Sequence, residues 1–316
     1  MENVIHLNRN SCSERRGVDF IWLELTNQCN LQCLHCYSDS NPTSTARDLL
    51  NESQYSNLIL EAHQLGCRQL QFIGGEPTLN KGLPRLIAYA HKLGYEFIEV
   101  FSNLTSLSNQ LLGVFLRYRV AVATSVYASA SELHDKITLS VGSHRRTISN
   151  IQRLLAGGLQ VRVGVIAMER NRDAIDATFE FLRGLGVTNI GLDHVRSFGR
   201  AQRQMPCSMK DLCGNCAGNI LAIGPDGRVA PCIMSRAWSV GSVLDAPLES
   251  IACSDSLFDM RRRIADATAN KAQTVRPQLD ECAPQFNCTP YYNCTHCSPN
   301  GSVPCIPNHN CDPAKR

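Results

Sequence analysis

The chain has 316 residues, of which 43% are hydrophobic and 19% charged, and carries a formal net charge of +3. That balance suits a folded globular protein rather than a disordered one, and so small a charge argues against nucleic acid or a membrane surface as a partner. Met1 to Asp19 is polar and lacks the apolar core of a secretory signal. No run reaches the roughly 18 apolar residues of a membrane span, so a cytoplasmic location is expected.

After a tail over 1–17, an apolar strand-like stretch at 20–26 leads into the run Thr26-Asn-Gln-Cys-Asn-Leu-Gln-Cys-Leu-His-Cys-Tyr37. Cys29, Cys33 and Cys36, spaced Cys-x3-Cys-x2-Cys, offer three thiolates from one short loop. A 4Fe–4S cluster takes four protein ligands when closed, so three leave one iron open to a substrate or cofactor. A zinc knuckle or half of a disulfide framework is the other reading of such a triple.

Further along, the pattern alternates. Helices are predicted over 51–65, 83–93, 107–117, 145–157 and 173–185, and strands over 69–73, 96–102, 120–127, 160–167 and 188–194. Gly66, Gly94, Gly157 and Gly186 sit where helices stop. Units of strand and helix in series predict a parallel sheet with right-handed crossovers. In βα barrels the chemistry sits at the C-terminal ends of the strands. The three cysteines, Gly74–Pro77, Ser102-Asn103, Ser125 and Ala167-Met168 all fall there. His134 and Asp135 are expected to cap or brace the segment after them.

Sixteen cysteines are unevenly spread. Five precede residue 70 (Cys12, Cys29, Cys33, Cys36 and Cys67), none lies between 68 and 206, and eleven follow from Cys207. The gap marks two domains, over 18–200 and 201–316. Without a secretion signal, metal ligation is the better reading of the second cluster than disulfides. Pro225-Asp226-Gly227, between the apolar runs Ile220–Ile223 and Val229–Ala230, predicts a β-hairpin that brings Cys216 and Cys232 to one end. Cys207, Cys213, Cys282, Cys288, Cys294, Cys297, Cys305 and Cys311 are further candidate ligands. Zinc, or a Cys/Pro-rich tail without a cluster, is the alternative. Cys12, Cys67 and Cys253 are read as structural, and 268–280 as a polar linker.

The cysteine loop resembles the signature of radical S-adenosylmethionine (SAM) enzymes, and Gly74-Gly75-Glu76-Pro77 resembles that family's Gly-Gly-Glu-Pro. The resemblance continues through Ser125, His134-Asp135, Gly142-Ser143, Asn150 and Gly157-Gly158. It implies a curved, partial (β/α)6 TIM-like barrel in which the loop holds a SAM-binding 4Fe–4S cluster. It also implies that the reduced cluster cleaves SAM to a 5′-deoxyadenosyl radical that removes a substrate hydrogen. His35 falls at the position that meets the adenine, and Gly74, Gly75 and Glu76 in the motif for the SAM amine. Ser102-Asn103 resembles the family's Thr-Asn-Gly, with Leu104 in place of the glycine. Ser125 matches the serine of a Ser-x-Asp pair, but Tyr127 replaces the acid. The stretch from Cys216 through Gly227 to Cys232 and Gly241 resembles the opening of the SPASM/twitch auxiliary domain, implying one or two auxiliary 4Fe–4S clusters. The spacing of the last cysteines departs from that pattern.

The resemblance implies a low-potential electron donor such as flavodoxin or ferredoxin. The leading expectation is maturation of a ribosomally made precursor peptide. Radical tailoring of a small sugar or nucleoside is the alternative, and a non-enzymatic iron–sulfur or zinc protein the third.

Overall fold

The structure, a computed structural model, describes residues 17–203 and 207–269. The tail before Gly17, with Cys12, and the late cysteines Cys282, Cys288, Cys294, Cys297, Cys305 and Cys311 lie outside the described residues.

The alternating pattern folds as six parallel strands in sequence order: β1 (Phe20–Glu24), β2 (Gln69–Ile73), β3 (Phe97–Phe101), β4 (Ala121–Ser125), β5 (Val161–Ala167) and β6 (Asn189–His194). Every residue of β1 is buried, as expected for a parallel strand covered on both faces. Its side chains alternate. Ile21, Leu23 and Leu25 enter the core beneath the helices, while Phe20 and Trp22 join a second apolar cluster on the other face. The covering helices are α1 (Glu52–Gln64), α2 (Leu83–Leu93), α3 (Asn109–Tyr118), α4 (Ser131–Thr138), α5 (Ser143–Ala156) and α6 (Ile175–Gly184). In α1, Tyr55, Leu58, Ile59 and Ala62 form one buried face, and Asn51 and Gln54 close a capping box at its start.

Helix α4 is absent from the sequence prediction because it spans barely two turns. Its Asp135 braces the start of α5, as expected. The carboxylate accepts from the Gly142 N–H at 2.5 Å, the Ser143 hydroxyl at 2.8 Å and the His144 N–H at 2.9 Å, which caps that helix.

Among the described residues the sheet does not close. Strand β6 forms one edge, and the opposite side of β1 is taken by β7 (Ile220–Ile223), which runs parallel to it. Strands β8 (Arg228–Ala230) and β9 (Gly241–Ser242) follow antiparallel. The predicted hairpin is therefore present, with Gly227 at φ +83° in its turn, where only glycine sits without strain. It is also continuous with the barrel sheet. Ile220 and Ala222 face the inner cluster, while Leu221 and Ile223 enter the helix-side core. Two more helices complete the described chain, α7 (Leu248–Ala252) and α8 (Asp255–Thr268); α8 packs on the turns at 209–211 and 215–217.

Leu221 is fully buried. Leu221→Ala should cost about 2–5 kcal/mol. The loss should appear in urea unfolding of the whole barrel, since β7 shares its sheet. A second, independent transition carrying the entire loss would contradict that continuity.

Candidate cofactor site

The loop after β1 is held by its neighbours. Asp48 anchors its root, accepting from the Thr26 hydroxyl at 2.6 Å and the Asn27 N–H at 2.8 Å. The loop after β2 docks against it through the backbone. Gly75 N–H donates to Thr26 O at 2.8 Å and Glu76 N–H to Gln28 O at 2.9 Å. A methyl group on Gly75 would lie 2.1 Å from Gln28 O, and one on Gly74, at φ +133°, 2.7 Å from Thr26 O. The two glycines thus permit backbone-to-backbone contact between the loops.

Cys29 is buried, and Cys33 and Cys36 are partly so. The Leu31 N–H donates to Cys29 Sγ at 3.4 Å, the Asn103 amide approaches the same sulfur at 3.8 Å, and Ser38 Oγ stands 3.4 Å from Cys36 Sγ. Burial pushes the Cys29 and Cys33 thiols up to about 12. Such dehydrated sulfurs ionise when a metal supplies the compensating charge. All three cysteines of the loop line one cavity with no other cysteine among its lining residues, so the donor set fits a cluster held by three thiolates.

These sulfurs line a cavity of about 270 Å³. Trp22, Ile73, Phe101 and Ile166 give it apolar walls, and Gln71, Arg162, Asn189 and Asp193 polar ones. Residues of all six parallel strands contribute, so the sheet curves around the space as a partial barrel. Of the residues predicted to meet SAM, His35, Gly74, Gly75, Asn103 and Ser125 line the cavity. Glu76 and Ser102 are each about 1% exposed. The Glu76 carboxylate is engaged by the Ser102 hydroxyl at 2.8 Å, the Asn103 N–H at 2.8 Å and the Thr78 hydroxyl at 2.7 Å. Its geometry makes it the strut that ties the β2 and β3 loops together.

His35 presents a buried Nδ1 that has no hydrogen-bond partner among the described residues, and burial, helped by the Arg200 charge, lowers its pKa to about 4. A neutral ring with an unused nitrogen fits a role as a contact for a bound nucleoside. Tyr127, where the family has an acid, packs edge-on to His35 with ring centroids 4.8 Å apart. Burial raises its pKa well above the usual phenol value, so its hydroxyl, beside Ser125 and Cys33, stays protonated.

Sequence reasoning missed two arginines. Arg200 reaches the loop from the chain that leaves the barrel, and Arg236 from the turn after β8, where it ion-pairs with buried Glu24 at 3.1 Å. Neither stands near Cys29, Cys33 or Cys36 in sequence, so no local signal ties them to that loop. On the auxiliary side, Cys216 and Cys232 meet as the hairpin predicted, with Cα atoms 5.2 Å apart. Their side chains face each other at that end of the hairpin, both fully buried, as two ligands of one centre would. Cys207 and Cys213 pack against the same inner cluster. Cys67 is wholly buried and its thiol donates to Gln69 O, as suits a structural cysteine.

The model of the radical SAM superfamily matches residues 23–182, and that of the SPASM iron–sulfur cluster-binding domain matches residues 213–298. The chain belongs to the radical SAM superfamily and carries a SPASM domain, which makes SAM and 4Fe–4S clusters its cofactors. It is 25% identical over 263 residues to the antilisterial bacteriocin subtilosin biosynthesis protein AlbA of Bacillus subtilis, covering 72% of this chain and 58% of AlbA. It is 25% identical over 206 residues to the PqqA peptide cyclase of Rhodopseudomonas palustris, covering 64% of this chain and 54% of the cyclase. The chain spans about half the length of the curated relatives it matches. Streptococcus suis SuiB bound to its precursor peptide SuiA shares the fold, with a TM-score of 0.65 at 12% identity over 77% of this chain and 66% of SuiB.

Gly75→Ala should force the β2 loop off the cysteine loop. We expect a loss of SAM affinity on the order of tenfold to 100-fold, read by calorimetric titration of anaerobically reconstituted protein. Wild-type affinity would show that the contact is dispensable.

His134 supplies a pH test. Its Nδ1 accepts from the Tyr127 N–H at 3.3 Å, and burial, then the neighbouring His144, lowers its pKa to about 4. The unfolded chain takes up this proton below an ordinary value of about 6.5. The contribution of His134 is therefore complete above about 6.5 and is lost as pH falls towards 4. His134→Gln should narrow the difference in melting temperature between pH 7 and pH 4.5; an unchanged difference would rule His134 out as a source of it.

Proposed function

We propose that this chain is a radical SAM enzyme that matures a ribosomally made peptide. The observation that carries the reading is the set of residues that share the cavity. Three thiols, Gly74-Gly75, Asn103, Ser125 and His35 line it together with Ile233 and Met234 of the auxiliary region. The relatives named for bacteriocin biosynthesis and peptide cyclisation support a peptide as substrate.

In this reading residues 18–200 form the radical SAM core and 201–316 the auxiliary domain. Cys29, Cys33 and Cys36 hold the SAM-binding cluster. Cys216 and Cys232 act with Cys207, Cys213 and the later cysteines on one or two auxiliary clusters. A 4Fe–4S cluster held by the thiolates of Cys29, Cys33 and Cys36 would supply the one-electron reduction of SAM that yields methionine and a hydrogen-abstracting 5′-deoxyadenosyl radical. The chain's own residues orient and shield. Gly74 and Gly75 expose backbone to the SAM amine, Ser125 and Asn103 offer polar contacts, and His35 faces the adenine. Trp22, Ile73, Phe101 and Ile166 keep water from the reacting atoms. A cytoplasmic flavodoxin or ferredoxin is the proposed electron donor.

Anaerobically reconstituted protein with dithionite should release 5′-deoxyadenosine from SAM. Cys29→Ala, Cys33→Ala and Cys36→Ala should each abolish that release, and a short peptide encoded beside the enzyme should change mass only with the intact loop. Full SAM cleavage by the triple variant would sink the assignment. Conversion of sugars or nucleosides but of no peptide would overturn the substrate class.

A further inference from the structure

The loop that carries the cysteines is held from outside the barrel. After β6 the chain turns back at Gly199, which has φ +57° and touches the loop directly. A methyl group there would lie 2.2 Å from Cys36 O and 2.4 Å from Tyr37 O. The next residue, Arg200, spans the loop. Its backbone N–H donates to Cys36 O at 2.9 Å. Its guanidinium donates from Nε to Cys33 O at 2.7 Å, from one terminal nitrogen to Ser40 O at 2.7 Å, and from the other to Asp39 at 2.9 Å. Arg236, from beyond the hairpin, adds a long contact to Ser38 O at 3.4 Å.

Arg200's side chain is only 8% exposed, whereas that of Asp39, its counter-ion, is 48% exposed. The cation is therefore poorly solvated and its partner well solvated, so part of its field reaches the sulfurs. A rigid guanidinium fork also fixes carbonyl positions that a flexible ammonium would not. Hydrogen bonds and charge around bound iron set both ligand orientation and reduction potential.

We propose that Arg200 is a positioning residue for the radical cluster. The segment leading into the auxiliary domain locks the cysteine loop and sets a permanent cation beside it, so the second domain's attachment helps to fix the potential of the first domain's cluster. This rests on the radical SAM reading above. Reduction adds negative charge to the cluster. Removing the cation disfavours that step, and removing its carboxylate partner favours it.

The test uses full-length reconstituted protein and EPR-monitored redox titration, with the Cys29/Cys33/Cys36→Ala triple variant supplying any auxiliary signal to subtract. Arg200→Gln should lower the midpoint potential of the loop cluster and weaken SAM affinity by about tenfold or more. Arg200→Lys should keep the potential near wild type but not the affinity, since it retains charge without the fork. Asp39→Asn, at a half-exposed position whose φ of +54° suits asparagine, should raise the potential. That variant decides the matter even if Arg200→Gln does not fold, because a merely structural role predicts no shift from it. Unchanged potentials in Asp39→Asn, or a fall instead of a rise, would overturn the proposal. A wild-type protein with no SAM-perturbed cluster signal would instead overturn the functional reading beneath it.

Discussion

Two backbone hydrogen bonds between loops, from Gly75 to Thr26 and from Glu76 to Gln28, are the contact on which the site depends. The loop from Leu25 to Ser40 contains neither helix nor regular strand pairing, so its shape must come from its neighbours. The β2 loop touches it with glycine because nothing with a Cβ fits at that separation. Once that contact is made, Glu76 lies where it can gather Ser102, Asn103 and Thr78, and the β3 loop is drawn in with them. One close approach thereby aligns three loop ends around a single cavity.

Buried charge is the second constraint. Glu99 on β3 is 2% exposed and pairs with Arg162 of β5 at 2.7 Å beneath the cavity, with Gln71 of β2 in contact with the same carboxylate. Glu24, at the end of β1, is pushed up to about 7 by burial against the opposing pull of Arg236. An unpaired carboxylate at such depth would be costly, and breaking either pair would leave one. The first pair joins β3 to β5, and the second ties the end of β1 to the turn after β8.

The join between barrel and hairpin is a consequence of the open sheet. Strand β1 has β2 on one side and would otherwise present its other edge to solvent. Strand β7 fills that edge, Leu221 and Ile223 continue the barrel core, and the auxiliary cysteines are carried to the rim of the same apolar cluster. The connecting chain must then cross the cysteine loop on its way out, which is where Gly199 and Arg200 meet it.

The sequence by itself determined the six β/α units, the placement of cysteines, glycines and serine at strand ends, the hairpin, and the capping role of Asp135. All of these rest on short-range periodicity, turn chemistry or spacing, which a linear reading detects. From motif position it placed Glu76 and Ser102 among the SAM contacts. The tertiary structure buries both and joins them, the Ser102 hydroxyl donating to the Glu76 carboxylate. It also decided that the hairpin extends the barrel sheet, that Tyr127 packs between His35 and His134, and that Arg200 spans the loop. Those contacts join residues up to about 200 positions apart, and no local pattern encodes a partner at that distance. They exist only once the sheet has curved and brought its strand ends to one rim.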